Sequence, residues 1–191
     1  MATQASAASW PAMSIKEVEA LLTAPGAKFE METVDIRGVP TRVWKNAPPH
    51  MAALVQLSRT HGERLATIYE DERVSYEAQF RAIATLAADL AAGGVTKGDR
   101  VAVAMRNLPE WIVAFFAATT LGAIAVPLNA WWTGEELVYG LNDAGAKVLI
   151  TDDERWDRLA PLRSEIPGVA RVLVSRCLLY TSDAADERSS V

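Results

Sequence analysis

The stretch from residue 100 to 129, RVAVAMRNLPEWIVAFFAATTLGAIAVPLN, contains a predicted strand, a helix and a second strand in direct succession. Residues 100–105 are apolar on both faces, which is typical of a central strand in a parallel sheet. Residues 107–110, Asn-Leu-Pro-Glu, carry helix-start signals for the run that begins at Trp111. Residues 123–128 are again strand-like. This order predicts an α/β fold with a mostly parallel sheet.

The same alternation continues towards the C-terminus. Thr133 and Glu136 form a capping-box pattern, and the helix that they start is predicted to end at Gly145. Strands are predicted at 147–151 and 170–175, with a helix between them that begins at residue 152 and is interrupted near Pro161. Alternating strand and helix layers therefore extend through the second half of the chain.

The first half of the chain has a different pattern. Residues 34–44 and 66–76 alternate between apolar and polar side chains, which predicts two β-hairpins, with turns at Arg37-Gly38 and Asp71-Glu72. Helices are predicted after the capping box of Ser14 and Glu17, between Pro49 and Gly62, and along the face formed by Phe80, Ile83, Ala87 and Leu90. Residues 1–13 are predicted to be a flexible leader.

Composition excludes several classes of protein. Half of the 191 residues are hydrophobic and 23% are charged, which is ordinary globular composition. A net charge of −5 provides no basic surface for phosphate groups, so no nucleic-acid partner is expected. Cys177 is the single cysteine, which excludes an internal disulfide and every multi-cysteine metal motif. The N-terminus has no signal-peptide pattern, so we expect a cytoplasmic location, which includes the periphery of a membrane.

The segment 111–134 contains no charged residue, and tryptophans lie near both of its ends. One interpretation is a membrane-spanning helix that anchors the protein. The other is a buried helix, a turn and a buried strand. We favour the second because Gly122 and Pro127 would leave backbone groups without partners in lipid. No stable membrane span is therefore expected.

Most motif searches of the sequence are negative. No G-x-G-x-x-G follows a strand, and the glycine-rich residues 93–98 around Lys97 precede a strand where a phosphate loop would open a helix. His50 and His61 lack the further ligands that a metal site needs, which favours surface or capping roles. The acidic run 70–72 is interpreted as a solvated turn, and the acidic run 152–154 as a complement to a helix dipole.

The C-terminal segment 177–191, CLLYTSDAADERSSV, continues no earlier pattern and follows a predicted strand directly. It resembles the translated adaptor read-through found at the ends of assembled metagenomic reading frames. A disordered natural C-terminus is the alternative. The segment is therefore expected to be non-native or disordered, and the natural chain to diverge from this one near Arg176.

Several strings in order resemble the opening motifs of the adenylate-forming superfamily. They are V-S-Y-E at 74–77, G-D-R-V-A-V at 98–103, N-L-P-E-W at 107–111 and L-G-A-I-A-V-P-L-N at 121–129. The last string is similar to the acyl-CoA synthetase branch. F-E-M-E at 29–32 and R-G-V-P-T-R-V-W-K at 37–45 also look like the lead-in of bacterial fatty-acid–CoA ligases. The resemblance covers about residues 15 to 175 and implies a partial N-terminal domain at 14–176.

The resemblance implies a two-step reaction in the full-length enzyme. A carboxylate, such as that of a fatty acid, attacks the α-phosphate of ATP to give an acyl-adenylate and pyrophosphate, and the thiol of CoA then displaces AMP. ATP, Mg²⁺ and CoA are the implied cofactors. The family's phosphate loop, similar to T-S-G-T-T-G-x-P-K-G, does not occur in this sequence, and neither does its C-terminal domain. The fragment alone is therefore expected to be inactive and to bind none of these cofactors strongly.

No catalytic, cofactor-binding or metal residue is transferred from the family to this chain. The matched motifs imply core positions at Val101, Val103, Val126 and Leu128 and a close-packed Gly122. Trp131 and Trp132 face either the acyl-binding side or the core. A short, non-catalytic α/β protein that binds a ligand is the alternative to a ligase fragment.

Overall fold

The computed structural model describes residues 12–177, and these fall into two compact units that divide between Pro49 and His50. The first unit contains helix α1 (Ile15–Thr23) and an antiparallel hairpin of β1 (Met31–Ile36) and β2 (Val39–Trp44). Both halves of the Ser14–Glu17 capping box form. Arg37 and Gly38 have φ values of 56° and 84°, the paired positive angles of a tight hairpin turn. The predicted helix and hairpin are confirmed.

The second unit contains the remaining elements. In chain order these are α2 (Met51–Arg59), β3 (Leu65–Tyr69), β4 (Glu72–Ser75), α3 (Tyr76–Ala92), β5 (Arg100–Ala104), α4 (Pro109–Thr120), β6 (Ile124–Pro127), α5 (Gly134–Ala144), β7 (Val148–Asp152), α6 (Asp153–Leu159), a 3₁₀ segment (Ala160–Glu165) and β8 (Arg171–Ser175). Each predicted helix and strand of this part is present. The predicted leader and tail lie outside the described residues, apart from residues 12, 13 and 177.

Strands β5 to β8 form one parallel sheet in the order β6-β5-β7-β8. Residues Val101 to Ala104 of β5 are fully buried, as the pattern at 100–105 predicts. Val101 and Val103 pack into one core with α3 and α4, while Ala102 and Ala104 pack into a second core with α5 and α6. The sheet is therefore covered by helices on both faces, which confirms the α/β prediction.

The uncharged segment 111–134 forms most of α4, the strand β6 and the start of α5. Helix α4 has 12 residues, whereas a membrane-spanning helix needs about 20. None of the helices between residues 12 and 177 is long and apolar enough to cross a membrane. The alternative of a membrane anchor at 111–134 was wrong, because the segment turns at Leu121-Gly122 and continues as a sheet strand.

Glu77 on α3 joins two helices, and this ion pair predicts an acid-sensitive step in stability. Its carboxylate accepts from Arg59 Nε at 2.8 Å and from Arg81 Nε at 2.9 Å. The hydrogen bond from Arg59, and then that from Arg81, hold the pKa of Glu77 below its ordinary value of 4.5. A lowered folded pKa contributes stability that is present above 4.5 and is lost as the pH falls through the folded value.

We therefore expect the free energy of unfolding to fall more steeply below pH 4.5 in the unsubstituted chain than in Glu77→Gln. Urea titrations at pH values between about 3 and 6 measure this slope. Arg59→Gln removes the main cause of the shift and should also flatten the slope. Equal slopes in all three proteins would show that this ion pair does not couple stability to pH.

Candidate functional site

The carboxyl edge of the parallel sheet is where the connecting loops diverge. The loop after β5 leads into α4, which packs on one face, whereas the loop after β6 leads into α5 on the opposite face. Two adjacent loops that leave in opposite directions open a crevice between them, and open α/β sheets bind ligands at such a switch point. The crevice is therefore the candidate site.

A cavity of about 570 Å³ occupies this crevice, within the usual range for small-molecule pockets. The β3–β4 turn and the loops after β5 and β6 all contribute to its lining. The lining residues are Tyr69, Glu70, Arg106, Asn107, Leu108, Ala130 and Trp131. A second cavity of about 220 Å³ shares Tyr69, Asn107 and Leu108 with the first and is otherwise lined mainly by apolar groups, including those of Trp111 and Ile112.

Arg106 and Trp131 form the polar and aromatic parts of the crevice. The Arg106 guanidinium lies over the Trp131 ring, 4.8 Å from the ring centroid. Trp131 is 70% exposed and contributes little to the core. Trp132 instead packs against the second core and, through one ring atom, lies 2.7 Å from the position that a Cβ at Gly140 would occupy. The structure therefore separates the two tryptophans, with Trp131 in the crevice and Trp132 packed inside.

A buried ion pair beneath the crevice connects its loops. Asp152 accepts from the backbone N–H of Arg106 at 3.1 Å and from Arg155 Nη1 at 2.9 Å. Arg155 Nε donates to the carbonyl of Ala130 at 2.8 Å. The side chains of Asp152 and Arg155 are 7% and 1% exposed. One pair of charges thus fixes the loops after β5, β6 and β7 relative to one another.

The sequence predicts that residues 152–154 complement the dipole of a helix, and in the structure Asp152 also belongs to the buried ion pair. Asp153 and Glu154 lie in the first turn of α6 as that interpretation requires. Asp152 is the N-cap, and its Oδ1 accepts from the backbone N–H of Arg155 at 3.1 Å. Arg155 Nη2 has no hydrogen-bond partner among the described residues. The sequence pattern gave no sign that an arginine here would be buried.

At the rim, Arg176 connects the end of β8 to the β3–β4 hairpin and to α4. Its guanidinium pairs with Glu72 at 2.8 Å and Glu110 at 2.9 Å, and lies 5.2 Å from the Tyr69 ring centroid. The hydrogen bond from Arg176 lowers the pKa of Glu72. The run at 70–72 is therefore only partly solvated, because Glu72 is paired while Glu70 lines the cavity.

The other residues that the sequence draws attention to lie away from the crevice. His50 is the N-cap of α2 and accepts from the backbone N–H of Ala53, and the His61 ring packs 4.7 Å from the Tyr76 ring. Asp99 accepts from Thr96 in the turn before β5, at the opposite edge of the sheet. These contacts give both histidines and the glycine-rich turn structural roles.

The crevice does not fit ATP with Mg²⁺. Triphosphate binding requires several N–H donors or cations. Within the described part of the chain, Arg106 is the one cationic residue that lines the larger cavity, and the acidic residue Glu70 lies in the same lining. No nucleotide step is therefore assigned to these residues.

An open parallel sheet with helices on both faces and a crevice at its carboxyl edge defines a doubly wound type of α/β protein. The AMP-binding enzyme family matches residues 54–190, which is more than half of the chain and includes the whole sheet. The chain belongs to the AMP-binding enzyme family.

Relatives with known activities are CoA ligases. The chain is 38% identical over 99 residues to the 2-succinylbenzoate–CoA ligase of Bacillus subtilis, a match that covers 52% of this chain and 20% of that enzyme. It is 46% identical over 81 residues to the long-chain-fatty-acid–CoA ligase FadD13 of Mycobacterium tuberculosis, which covers 42% of this chain and 16% of that enzyme. The matches therefore span only about a fifth of either relative.

Solved structures agree with the fold. The N-terminal domain of FACL13 from Mycobacterium tuberculosis matches 74% of this chain and 36% of that chain, with a TM-score of 0.62 and 28% identity. A Mycobacterium tuberculosis fatty acyl CoA synthetase matches 74% of this chain and 28% of that chain, with a TM-score of 0.61 and 26% identity. The described fold is that of the N-terminal region of adenylate-forming enzymes.

Proposed function

We propose that the chain is the N-terminal part of an ATP-dependent acyl-CoA ligase. The observation that carries this proposal is the family match over residues 54–190, together with CoA ligases among the relatives. The full-length enzyme would join a carboxylate to ATP, release pyrophosphate, and transfer the acyl group from AMP to the thiol of CoA. Residues 14–176 would be the partial N-terminal domain of that enzyme.

The substrate class proposed for the full-length enzyme is a small carboxylic acid, with fatty acids first. FadD13, a long-chain-fatty-acid–CoA ligase, is 46% identical to this chain over the matched residues, which supports a fatty-acid substrate. ATP, Mg²⁺ and CoA are the proposed cofactors. The proposed location is the cytoplasm, including the periphery of a membrane, because ATP and CoA are soluble cofactors.

This chain alone is proposed to be inactive. Stabilising the charge that moves between phosphates requires a loop of backbone N–H donors, a lysine and a metal ion. The sequence contains no string similar to T-S-G-T-T-G-x-P-K-G, and among residues 12–177 the crevice lining has a single cationic residue, Arg106. The scaffold of this chain would support residues that come from elsewhere in the full-length enzyme.

Carboxylate-dependent ATP–pyrophosphate exchange tests the proposal. We expect no exchange from the 191-residue chain with a fatty acid, ATP and Mg²⁺. Re-sequencing the source DNA across the Arg176 codon should extend the reading frame into a Gly/Ser/Thr-rich loop, and the protein from that frame should catalyse exchange only when a carboxylate is present. A frame that ends after Val191, or an extended protein without exchange, would refute the ligase proposal.

A further inference from the structure

A further cavity lies between three helices of the second unit. Helices α2, α3 and α4 pack against one another on one face of the parallel sheet, and they leave a cavity of about 220 Å³ between them. It shares no lining residue with the crevice or with the cavity that adjoins the crevice. Its lining residues are Leu54, Val55, Ser58, Tyr76, Gln79, Ile83 and Phe116. The space is therefore separate from the candidate site.

This cavity is mainly apolar and open on one side. Val55 and Ile83 belong to the core on this face of the sheet and are 4% and 2% exposed, whereas Leu54 is 39% exposed. Ser58 contributes a small side chain, whose hydroxyl donates to the Val55 carbonyl at 2.7 Å. A leucine at this position would fill the space. An apolar cavity of about 150 Å³ is enough to hold a benzene ring, so this one accommodates a ring with a small substituent.

Two aromatic side chains of the lining are held in place by neighbouring rings. The centroid of the Tyr76 ring lies 4.7 Å from that of the His61 ring. The Phe116 ring lies edge-on to the Phe115 ring, with 5.4 Å between the centroids. Rings that are already ordered lose little freedom when a ligand binds, and edge-to-face or offset ring pairs contribute more than the area that they bury. The lining therefore favours an aromatic ligand.

The polar groups of the lining limit the charge of that ligand. Gln79 accepts from the Thr67 hydroxyl at 2.9 Å, and the two N–H donors of its amide have no partner among residues 12–177. A carbonyl or hydroxyl oxygen of a ligand can accept from them. Within the same described range, no lysine, arginine, histidine, aspartate or glutamate lines the cavity. A charged ligand would lose its water there without gaining a counter-ion, so the site favours a neutral molecule.

We propose that this cavity binds a neutral small molecule with one aromatic ring and one hydrogen-bond acceptor, the class of aryl ketones, aryl amides and phenols. The ring contacts Tyr76 and Phe116, and the acceptor binds the amide of Gln79. Selection against charge excludes carboxylates and nucleotides, so this site is distinct from any for the substrates of the proposed full-length ligase. The proposal does not rest on ligase activity, because every contacting group belongs to this chain.

Fluorine NMR of para-fluoroacetophenone tests the proposal on the 191-residue chain, either free or fused to a solubility partner that is also measured alone. Saturable line broadening is expected at concentrations up to about 5 mM, because a ligand of this size gains only weak affinity. Unlabelled acetophenone should displace the probe. Benzoate has a similar size but carries a charge, so it should displace the probe at least about tenfold less effectively.

Two pairs of variants locate the binding. Ser58→Leu fills the cavity and should abolish saturable binding, whereas Ser58→Ala removes the hydroxyl without filling the space and should retain it. Gln79→Leu should weaken binding of the ketone by about fivefold, the effect of one hydrogen bond, without weakening binding of para-fluorotoluene.

Gln56→Leu makes the same change at an exposed position of α2 outside the lining and should leave binding of both probes unchanged. A circular dichroism spectrum that matches the unsubstituted chain is the criterion for a folded variant. If Ser58→Leu does not meet it, the Gln79 and Gln56 variants decide where the ligand binds.

Four results would overturn the proposal. The first is no saturable broadening with the unsubstituted chain. The second is equal displacement by benzoate and acetophenone, which would make charge irrelevant to the site. The third is unchanged ketone binding in folded Ser58→Leu or Gln79→Leu, which would place the ligand elsewhere. The fourth is tighter binding of N-acetylphenylalanine methylamide than of acetophenone, which would make the cavity a docking site for a protein side chain. None of these results bears on pyrophosphate exchange, so the two proposals fail independently.

Discussion

Replacing Asp152 with alanine is expected to lower the free energy of unfolding of the second unit by about 3–5 kcal/mol. The change removes the buried carboxylate that pairs with the Arg155 guanidinium and leaves it only the exposed Glu154 among its described ion-pair partners, and removing one member of a buried ion pair is the costly way to break it. It also removes the N-cap of α6 and the acceptor for the backbone N–H of Arg106. Urea unfolding followed by far-UV circular dichroism measures the loss.

Asp157→Ala is the matched control for this prediction. Asp157 lies on the same helix but is exposed, so its loss should change stability by less than about 0.5 kcal/mol. The double variant Asp152→Ala/Arg155→Met removes both buried charges and should recover part of the stability. Equal losses in Asp152→Ala and Asp157→Ala would contradict the buried pair that the structure describes.

The local elements of the fold are predictable because their signals are complete within a few residues. The capping box at Thr133 and Glu136 forms both of its hydrogen bonds, and Gly145 ends the same helix with φ of 61°. The strand at 100–105 is apolar on both faces, and the structure buries it beneath helices on both sides. Periodicity and capping chemistry act over one or two turns, so the sequence pattern alone is sufficient there.

The crevice is not predictable in this way, since its parts come from distant segments. Glu70 belongs to a hairpin turn, Arg106 to the loop after β5 and Trp131 to the loop after β6. The strand order β6-β5-β7-β8 brings the loops of Arg106 and Trp131 together, and no local pattern specifies that order. Arg155 was missed for a related reason, because one of its acceptors is the Ala130 carbonyl, 25 residues away in the chain. Long-range polar contacts leave no periodic signal.

Replacing Leu137 with alanine is expected to destabilise the second unit by about 2–5 kcal/mol. Leu137 is fully buried on α5 and packs into the core that contains Ala102, Ala104 and Leu149 of the sheet. Removing its side chain loses the transfer free energy of buried methyl groups and leaves a cavity beneath the sheet. Leucine and alanine both favour helices, so the change in helix propensity contributes little.

Leu57→Ala is the control for the difference in helix propensity between leucine and alanine, because Leu57 also lies on a helix, α2, but is 55% exposed. It should lose less than about 1 kcal/mol in the same urea titration. A small loss in Leu137→Ala would mean that α5 does not pack against the sheet. It would contradict the placement of α5, which connects β6 to β7, on this face of the sheet. That crossing sets the direction of the loop after β6, so the crevice of Arg106 and Trp131 depends on the packing of this one leucine.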